Sequence, residues 1–424
     1  MQAVILSIGD ELVLGQTIDT NSAWLSAQLA RLGIGTLYHH TVADDLPAIR
    51  AALEDAAKAA ELVLVTGGLG PTEDDLTRQA LAQAMGVELV LNEESLAQIQ
   101  AHFARRQRKM GDRNRVQAMQ PAGARMIENT AGTAPGIAAQ LGQARVYVMP
   151  GVPVEMRIMY ERSIAPELDA SMAGRASILT TTINTFGWGE SAVADELRDL
   201  LTRDRNPRVG TTVSRGLVSL RVRSEFTNGD DAARHLEETA RLIEEKLGPI
   251  AFGRDETTLQ EALVTLLKER GLKLVTAESC TGGMLGGMIT DVPGSSAVYE
   301  GGWVTYSNAM KTAELGVSED LLTQHGAVSK PVACAMAQGA LARSSADVAL
   351  AITGIAGPGG GTPEKPTGTV YIALADRSIT RVMRYIFPDG RDFVRDCAAR
   401  CAMAMLRLHL LGADLHTIRW GEEV

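Results

Sequence analysis

The segment Ala277-Glu278-Ser279-Cys280-Thr281-Gly282-Gly283 lies where the sequence changes from a strand pattern to a helix pattern. The segment 272–277 is mostly apolar and follows a glycine, which predicts a short strand. The segment 281–290 is rich in small residues and predicts a helix. We therefore expect Ser279 at a strand-to-helix corner, beside free backbone N–H groups and the positive end of the helix dipole. Such a place suits a phosphate group or a developing oxyanion.

A serine hydroxyl becomes a useful nucleophile only when a base takes its proton. The chain contains seven histidines, and the nearest one downstream is His325. Closer candidates lie in the segment 303–311, whose pattern predicts a strand ending near Tyr306 and a helix soon after it. A desolvated lysine such as Lys311 can accept a proton, and a tyrosine hydroxyl can relay one. The same residues also fit an ordinary glycine-rich turn beside a solvated tyrosine and lysine.

Several stretches of the last third of the chain together resemble the C-terminal domain of the CinA family, the nicotinamide mononucleotide (NMN) amidohydrolases. The matching stretches are 277–283, 291–296 with Tyr299, 304–308 with Lys311, and 353–358. The resemblance implies that Ser279 is the nucleophile, that Tyr306 and Lys311 activate it, and that the amidase needs no cofactor. We expect the substrate to lie against the residues of the two glycine-containing loops, which are Cys280, Thr281, Gly282, Gly283, Thr353 and Gly354.

Two features of this half stay open at the level of sequence. Arg391 and Arg395 lie one turn apart on the last predicted helix and could hold a phosphate, although isolated helix arginines usually face solvent. Cys280 competes as the nucleophile, because a thiol beside a helix N-terminus can have a lowered pKa. The spacing does not choose between Cys280 and Ser279, and the preference for Ser279 comes from the family pattern.

The first 65 residues alternate between strand and helix patterns, which is typical of a parallel α/β sheet. Ligands of such sheets bind beyond the carboxyl ends of the strands. The loop 66–77 follows the third predicted strand and combines glycines with carboxylates, which suits a diphosphate held with a divalent cation. A second acidic, glycine-containing loop, 9–21, leaves the first strand on the same side. The alternative interpretation is a helix N-terminus that carries acids to suit its dipole.

These loops resemble the molybdopterin-binding fold, and most closely the N-terminal domain of the CinA family, to which an ADP-ribose pyrophosphatase activity is attributed. The candidate nucleotide-binding residues are Gly67, Gly68, Gly70 and Asn21, and the candidate ligands of a divalent metal ion of unknown identity are Asp75, Asp74, Glu155 and Asp19. Leu69 replaces the threonine of the molybdopterin enzymes, so the resemblance does not extend to molybdopterin chemistry.

The middle segment predicts an α+β module that resembles the KH-type domain of full-length CinA proteins. Its 187–190 loop, Gly-Trp-Gly-Glu, is not the G-x-x-G loop that binds nucleic acid, so we expect a structural or dimer-forming role. The predicted fold class is therefore a multidomain α/β and α+β protein. Its parts are a molybdopterin-binding-like parallel-sheet domain, a KH-like middle module and a CinA-type C-terminal α/β domain, at 1–171, 172–250 and 251–424.

Composition limits the partners of this 424-residue chain. A net charge of −10 disfavours a general nucleic-acid surface, and the basic run 105–109 is more simply a solvated helix face. The sequence shows neither a signal-peptide pattern nor an apolar run long enough for a bilayer. Its four cysteines form no C-x-x-C pair. We therefore expect a cytoplasmic homodimer that acts on small nucleotides, NMN and ADP-ribose, with no membrane or nucleic-acid partner.

Three functions remain compatible with these patterns. The first is a bifunctional enzyme with an NMN amidase in the C-terminal domain and a metal-dependent pyrophosphatase in the N-terminal domain. In the second, only one half is catalytic and the other is a nucleotide-binding regulator. The third is a non-enzymatic partner of the recombination machinery, as the association of the family with competence and DNA damage suggests. A non-enzymatic adaptor would not need reactive or ligand-binding side chains on both sets of loops.

Overall fold

The computed structural model describes residues 1–172, 177–388 and 390–424. By its internal contacts it divides into two compact units, Met1–Leu179 with Glu225–Ala232 and Thr180–Ser224 with Ala233–Val424. No helix in the described ranges combines the length and the apolar character needed to cross a membrane.

The first unit begins with alternating strands and helices. In chain order they are β1 (Gln2–Ile8), α1 (Asp10–Val13), α2 (Thr20–Arg31), β2 (Gly35–Val42), α3 (Leu46–Ala59), β3 (Leu62–Thr66), α4 (Thr77–Met85), β4 (Leu89–Leu91), α5 (Glu93–Arg105), β5 (Met119–Pro121), β6 (Arg125–Ile127), β7 (Gly136–Leu141), β8 (Ala144–Met149), α6 (Pro153–Met159) and α7 (Ala165–Met172). A 3-10 helix covers Asp112–Ala118, and a π-helical turn covers Tyr160–Ile164.

The predicted parallel sheet is confirmed. Its strand order is β2-β1-β3-β8-β7-β6, with β1 parallel to β2 and β3, and β3 parallel to β8. Alternate residues of β1 enter different cores, because side chains of a strand point to opposite faces. Val4 and Leu6 pack on one face, whereas Ala3 and Ile5 pack on the other. The inner strands are thus covered on both sides, whereas the edge strand β2 is largely exposed.

The second unit contains the remaining elements. They are β9 (Ser177–Phe186), α8 (Glu190–Glu196), β10 (Arg208–Ser214), β11 (Leu217–Phe226), α9 (Gly229–Leu247), β12 (Ala251–Arg254), α10 (Leu259–Arg270), β13 (Leu274–Glu278), α11 (Met284–Thr290), β14 (Tyr299–Val304), α12 (Asn308–Leu315), α13 (Glu319–His325), α14 (Lys330–Ala342), β15 (Val348–Gly354), β16 (Thr369–Asp376), β17 (Thr380–Ile386), α15 (Arg391–Leu410) and β18 (Gly421–Glu423). The ends of β9, β11 and α9 fall outside the bounds of this unit. Short 3-10 helices cover Arg198–Leu200, Gly248–Ile250, Ser295–Ala297 and Leu415–Thr417.

The middle module is built on the sheet β10-β11-β9-β12. The predicted hairpin is confirmed, since β10 and β11 pair antiparallel from Arg208 with Arg223 to Ser214 with Leu217. The hairpin turns at Gly216, where φ is +79°. That backbone conformation suits a glycine in a two-residue hairpin turn.

The C-terminal sheet has the order β14-β13-β15-β16-β17-β18. Strand β13 is parallel to both β14 and β15, and the strands from β15 to β18 pair antiparallel. One face packs against α15 and the other against α14. Because β13, β14 and β15 run in the same direction, their carboxyl ends meet at one edge. Ser279, Thr305 and the end of β15 at Gly354 therefore lie along that edge.

Candidate functional site

Ser279 directly follows β13, the strand between β14 and β15. Its backbone N–H donates to the carbonyl of Ile352 on β15 at 2.9 Å, and the Glu278 carbonyl accepts from the N–H of Thr305 at 2.8 Å. These two bonds continue the hydrogen-bond pattern of the sheet to the end of β13, towards β15 on one side and β14 on the other. The serine is 8% exposed, so its hydroxyl is held on a rigid support with little access to bulk water.

The Lys311 amine contacts the Ser279 hydroxyl. Lys311 Nζ lies 3.0 Å from Ser279 Oγ, and it also donates to the carbonyls of Thr305 at 2.8 Å and Tyr306 at 3.3 Å. The lysine is 1% exposed, and its burial lowers the pKa of the amine. The geometry therefore brings the predicted nucleophile and base together, with the neutral form of the base favoured by desolvation.

The turn after Ser279 contains two consecutive glycines in the left-handed region, with φ of +61° at Gly282 and +92° at Gly283. Helix α11 consequently starts at Met284 and not at Thr281, which corrects the predicted helix start. Gly282 N–H donates to the carbonyl of Ser279 at 3.1 Å. The glycines are needed here because a side chain strongly disfavours this backbone conformation.

The backbone donors of this turn are distributed differently from the prediction. The carboxylate of Glu278 accepts from the N–H groups of Gly283 at 3.0 Å, Leu285 at 3.1 Å and Gly286 at 2.8 Å. The start of α11 is therefore occupied by a side chain of the protein, and the N–H groups of Gly282 and Gly283 are already used. Only the amides of Cys280 and Thr281 donate to no other residue in the described part of the chain. These two N–H groups are the ones left to stabilise an oxyanion.

The Cys280 thiol is part of the core. It is 6% exposed, and burial raises its pKa to about 11. Its Sγ lies 3.0 Å from the place where a Cβ on Gly354 would be, which explains the glycine at the end of β15. A thiol that is protonated near neutral pH and packed against a strand is a poor nucleophile. The geometry favours Ser279.

Tyr306 does not make the contact that its expected relay role requires. Its side chain is 59% exposed, and its hydroxyl accepts from Arg391 at 3.2 Å. No hydrogen bond joins that hydroxyl to Ser279 or Lys311 in the structure as described. The backbone carbonyl of Tyr306, and not its phenol, contacts the lysine. The phenol thus belongs to the rim of the site.

The two predicted arginines also reach this edge. Arg391 donates to the Gly357 carbonyl at 2.9 Å, and Arg395 donates to the Thr281 carbonyl at 2.9 Å. One face of α15 therefore places two cations beside the serine turn and the glycine loop after β15. Their role in phosphate binding stays a prediction.

Two buried threonines lie in the neighbourhood of the Ser279–Lys311 pair, and only Thr281 was among the predicted site residues. The hydroxyls of Thr281 and Thr305 have no hydrogen-bond partner among the described residues, and both residues are 0% exposed. Thr353, by contrast, donates its hydroxyl to the Ala327 carbonyl at 2.8 Å, so this hydroxyl is already bonded within the protein. Thr305 and Glu278 were missed as functional residues. Their only signal in the sequence is that they are polar residues at or directly after the ends of two predicted strands.

The first unit has a cavity of about 440 Å³ at the carboxyl ends of β1 and β3. The glycine loop forms one wall, with φ of +102° at Gly67 and +66° at Gly68. A Cβ at these positions would lie 2.2 Å from the Ile8 carbonyl oxygen and 2.0 Å from Thr77 Oγ1. The loop can therefore approach β1 and α4 only without side chains. The carboxylates that line the cavity are those of Glu11, Asp44, Asp74, Asp75 and Glu155.

The four predicted metal ligands do not form one cluster. Asp75 accepts from the Gly70 N–H at 2.6 Å and from the backbone and hydroxyl of Thr72 at 2.8 and 2.5 Å. Asp19 caps α2 by accepting from Ser22 N–H at 2.9 Å and is not among the residues that line the cavity. No group of three or more His, Cys, Asp or Glu residues is placed to hold a metal ion in the described ranges.

Two of the carboxylates that line the cavity, Asp44 and Glu155, and the predicted binding residue Asn21, which does not line it, make further contacts. Burial raises the pKa of Asp44, and the neighbouring charges of Asp10, Glu11 and Asp74 add to the increase. Glu155 accepts from Asn129 at 2.7 Å. Asn21 donates to the Gly151 carbonyl at 2.7 Å and so connects the start of α2 to the loop after β8. The sequence pattern identified the loop that contains Glu11 but missed Asp44, which lies beyond β2.

Three family models match consecutive parts of the chain. They are the probable molybdopterin binding domain at 4–170, the damage-inducible protein CinA KH domain at 180–253 and the CinA C-terminal domain at 256–410. A crystal structure of the competence/damage inducible protein CihA from Agrobacterium tumefaciens is similar with 45% identity and a TM-score of 0.34. It covers 36% of this chain and 93% of that one.

Two curated relatives match almost the whole chain. A putative competence-damage inducible protein of Symbiobacterium thermophilum is 45% identical over 97% of this chain and 99% of its own length. A CinA-like protein of Geobacter sulfurreducens is 42% identical over 97% of this chain and 100% of its own. With this identity along nearly its full length, and with its three domains in this order, the chain belongs to the CinA family.

Proposed function

We propose that the C-terminal domain is a serine–lysine amidase that hydrolyses the carboxamide of NMN to nicotinate mononucleotide and ammonia. The observation that supports this proposal most directly is the 3.0 Å contact between Lys311 Nζ and Ser279 Oγ, with the amine 1% exposed. A buried amine of lowered pKa beside a serine has the chemistry of a general base for an alcohol nucleophile.

The proposed reaction follows from these positions. Ser279 Oγ attacks the carboxamide carbon while Lys311 Nζ takes the hydroxyl proton. The N–H groups of Cys280 and Thr281 stabilise the oxyanion of the tetrahedral intermediate. When the C–N bond breaks, the lysine returns the proton to the leaving nitrogen and ammonia departs. Water then attacks the acyl carbon while the same amine takes its proton, the bond from that carbon to Ser279 Oγ breaks, and the lysine returns the proton to Oγ as the acid product leaves.

The unpartnered groups around the dyad support a polar substrate. A buried donor or acceptor without a partner costs about 1–3 kcal/mol, so such groups are rare unless they serve a ligand. The hydroxyls of Thr281 and Thr305 and the Nε of Arg395 are all of this kind within the described residues. Thr281 lies two residues after Ser279, and Arg395 donates to the Thr281 carbonyl. The Thr305 carbonyl accepts from Lys311, so these residues belong to the region where a carboxamide and its sugar phosphate would need hydrogen bonds.

The amidase proposal is tested by ammonia release from NMN in the presence and absence of a chelator. Wild type is expected to release ammonia at the same rate in both, and Ser279→Ala is expected to lose at least about 10⁴-fold in kcat. Ser378→Ala, which removes an exposed hydroxyl near β17, is the matched control. No release by the wild type would reject this function and leave the regulator and adaptor functions open.

The acidic cavity supports a second activity, metal-dependent hydrolysis of a nucleoside diphosphate sugar such as ADP-ribose. Five carboxylates and no Lys or Arg occur among the described residues that line it. A diphosphate therefore needs a cation there to offset the repulsion. Since no three His, Cys, Asp or Glu residues of the described ranges are placed together for a metal ion, Asp44 and Asp74 would hold it only jointly with the phosphate oxygens of the substrate, and the oxygens of Asp75 already bind the loop. A bound divalent ion would neutralise the diphosphate and polarise water.

This second activity has its own test. ADP-ribose hydrolysis is expected to stop with chelator and to return when divalent ions are added back. Asp44→Asn should reduce it by about 10²-fold, a typical effect of removing a group that binds charge at a reacting site. The exposed Asp55→Asn on α3 is the control. Hydrolysis that survives chelation would exclude a metal-dependent pyrophosphatase.

A further inference from the structure

The buried carboxylate of Glu278 has no part in the reaction described above. Its residue is 1% exposed and directly precedes Ser279. A buried carboxylate is normally paired with a cation or held by several hydrogen bonds. Here its partners among the described residues are three backbone N–H groups, of Gly283, Leu285 and Gly286, at 2.8–3.1 Å. The carboxylate therefore fixes the first turn of α11 from inside the protein.

This arrangement determines which amides of the serine turn remain available. The Gly283 N–H is bound by Glu278, and the Gly282 N–H is bound by the Ser279 carbonyl. The turn adopts this arrangement with Gly282 and Gly283 at positive φ. In the buried segment between Ser279 and Gly282, the amides of Cys280 and Thr281 have no acceptor in another described residue. The carboxylate thus selects the donors by binding their neighbours.

The backbone of Glu278 also connects the serine turn to Lys311, the proposed base. Its carbonyl accepts the N–H of Thr305, and the Thr305 carbonyl in turn accepts from Lys311 Nζ at 2.8 Å. Tyr299 packs behind the carboxylate, since a Cβ on Gly286 would lie 2.6 Å from the Tyr299 hydroxyl and 3.5 Å from Glu278 Oε1. A single residue therefore connects the oxyanion donors, the nucleophile and the support of the amine.

We propose that Glu278 is a positioning residue that preorganises the oxyanion site, by holding the N–H groups of Gly283, Leu285 and Gly286 so that those of Cys280 and Thr281 can donate to the carboxamide oxygen that becomes the oxyanion. The inference rests on the Ser279–Lys311 dyad proposed above. It does not require that NMN is the substrate. Glu278 contacts no reacting atom, and its effect is transmitted through the turn.

Glu278→Gln is the most informative change because it preserves shape. One oxygen becomes an NH₂ group, so in either orientation at least one of the three backbone N–H groups faces a donor instead of an acceptor. The turn has to shift to relieve this. We expect kcat to fall by about 10²–10³-fold, as when one oxyanion donor is lost, with KM nearly unchanged. Glu278→Asp keeps the charge on a shorter arm and should lie between the Gln variant and wild type.

A direct probe of the site is pyridine-3-boronic acid. Ser279 Oγ forms a B–O bond with the trigonal boron, its proton passes to Lys311, and the resulting tetrahedral anion mimics the oxyanion intermediate. Boron-11 NMR distinguishes trigonal from tetrahedral boron without any turnover. Wild type should form the adduct, Ser279→Ala should not, and Glu278→Gln should bind at least about tenfold more weakly. Glu319→Gln, in the first turn of α13, which has seven residues like α11, is the control.

The outcomes separate this inference from the proposed amidase. An adduct in wild type that weakens in Glu278→Gln supports the inference even if wild type releases no ammonia from NMN. Equal adduct formation in both proteins, or no adduct in wild type, overturns it. Circular dichroism and thermal unfolding establish that the variant is folded. If Glu278→Gln does not fold, the same comparison with Glu278→Asp decides, since unchanged boronate affinity in that variant also overturns it.

Discussion

Replacing Lys311 with Met tests the central contact of the C-terminal site. Met has nearly the same length as lysine but cannot accept a proton. The change removes the Nζ that lies 3.0 Å from Ser279 Oγ and donates to the carbonyls of Thr305 and Tyr306. A general base contributes about 10²–10⁴-fold to a rate. We expect the upper end of that range, because the chain offers the serine no histidine within hydrogen-bond distance in the described residues.

The expected loss of about 10⁴-fold in kcat corresponds to about 5.4 kcal/mol of transition-state stabilisation. The effect on stability should be much smaller. The two carbonyls lose a donor, which costs about 1–3 kcal/mol for each buried acceptor left unsatisfied. The methionine, however, avoids the desolvation that lowers the pKa of Lys311. The two effects oppose each other, so the melting temperature should change by only about 5 °C or less.

The assay is ammonia release from NMN under single-turnover conditions, with thermal unfolding of the same samples. Lys268→Met, which removes an exposed amine on α10, controls for the loss of a positive charge. The double variant Ser279→Ala with Lys311→Met should be no slower than the slower single variant, because residues that act as one unit are not additive. A Lys311→Met protein that retains more than about a tenth of the wild-type kcat would refute the role of the amine as base.

Three other predictions follow from the contacts of individual groups. Cys280→Ala should keep kcat within about tenfold of wild type, because the thiol is a core group whose pKa burial raises to about 11, and a loss like that of Ser279→Ala would reverse this assignment. The amidase rate should rise with pH and level off below the ordinary lysine value of 10.5, because only the neutral amine of Lys311 accepts a proton and burial lowers its pKa; a rate that falls across this range would contradict it. Asp75→Asn should reduce ADP-ribose hydrolysis and leave NMN hydrolysis unchanged, because it removes an acceptor of the Gly70 and Thr72 N–H groups, and equal loss of both activities would argue against a role confined to the glycine loop.

The part of the site that the sequence predicted is the part that local pattern determines. An apolar run before Ser279 and a glycine pair after it predict a strand-to-turn corner, and the structure has β13 ending at Glu278. The helix after residue 308 was also predicted, and it places Lys311 one turn into α12. Local spacing could not show that the amine reaches the serine. That contact depends on the parallel register of β13 with β14, which pairs Glu278 with Val304.

Competition for backbone donors is the part of the two sites that the sequence could not predict. Sequence indicates that a helix start has free N–H groups but not which acceptor in the fold takes them. Here Glu278 takes those of α11, and Asp75 takes those of the glycine loop in the first unit. Asp19 similarly serves its own helix as a cap. In each case a carboxylate that a ligand or metal interpretation could claim is used by the protein itself, which only the tertiary structure reveals.

The two candidate sites have opposite electrostatic character, so their two proposed activities can be separated by their response to divalent ions. The proposed amidase site depends on an amine whose pKa burial lowers, and the carboxylate of Glu278, which precedes Ser279, is held by backbone N–H groups. A multivalent cation near Lys311 would only lower the proton affinity of the base further. The cavity of the first unit has the reverse character, since burial and neighbouring acids raise the pKa of Asp44 and a cation would relieve that repulsion. Divalent ions should therefore stimulate ADP-ribose hydrolysis and leave NMN hydrolysis unchanged or slower. If both activities required the ion equally, the assignment of one chemistry to each domain would be wrong.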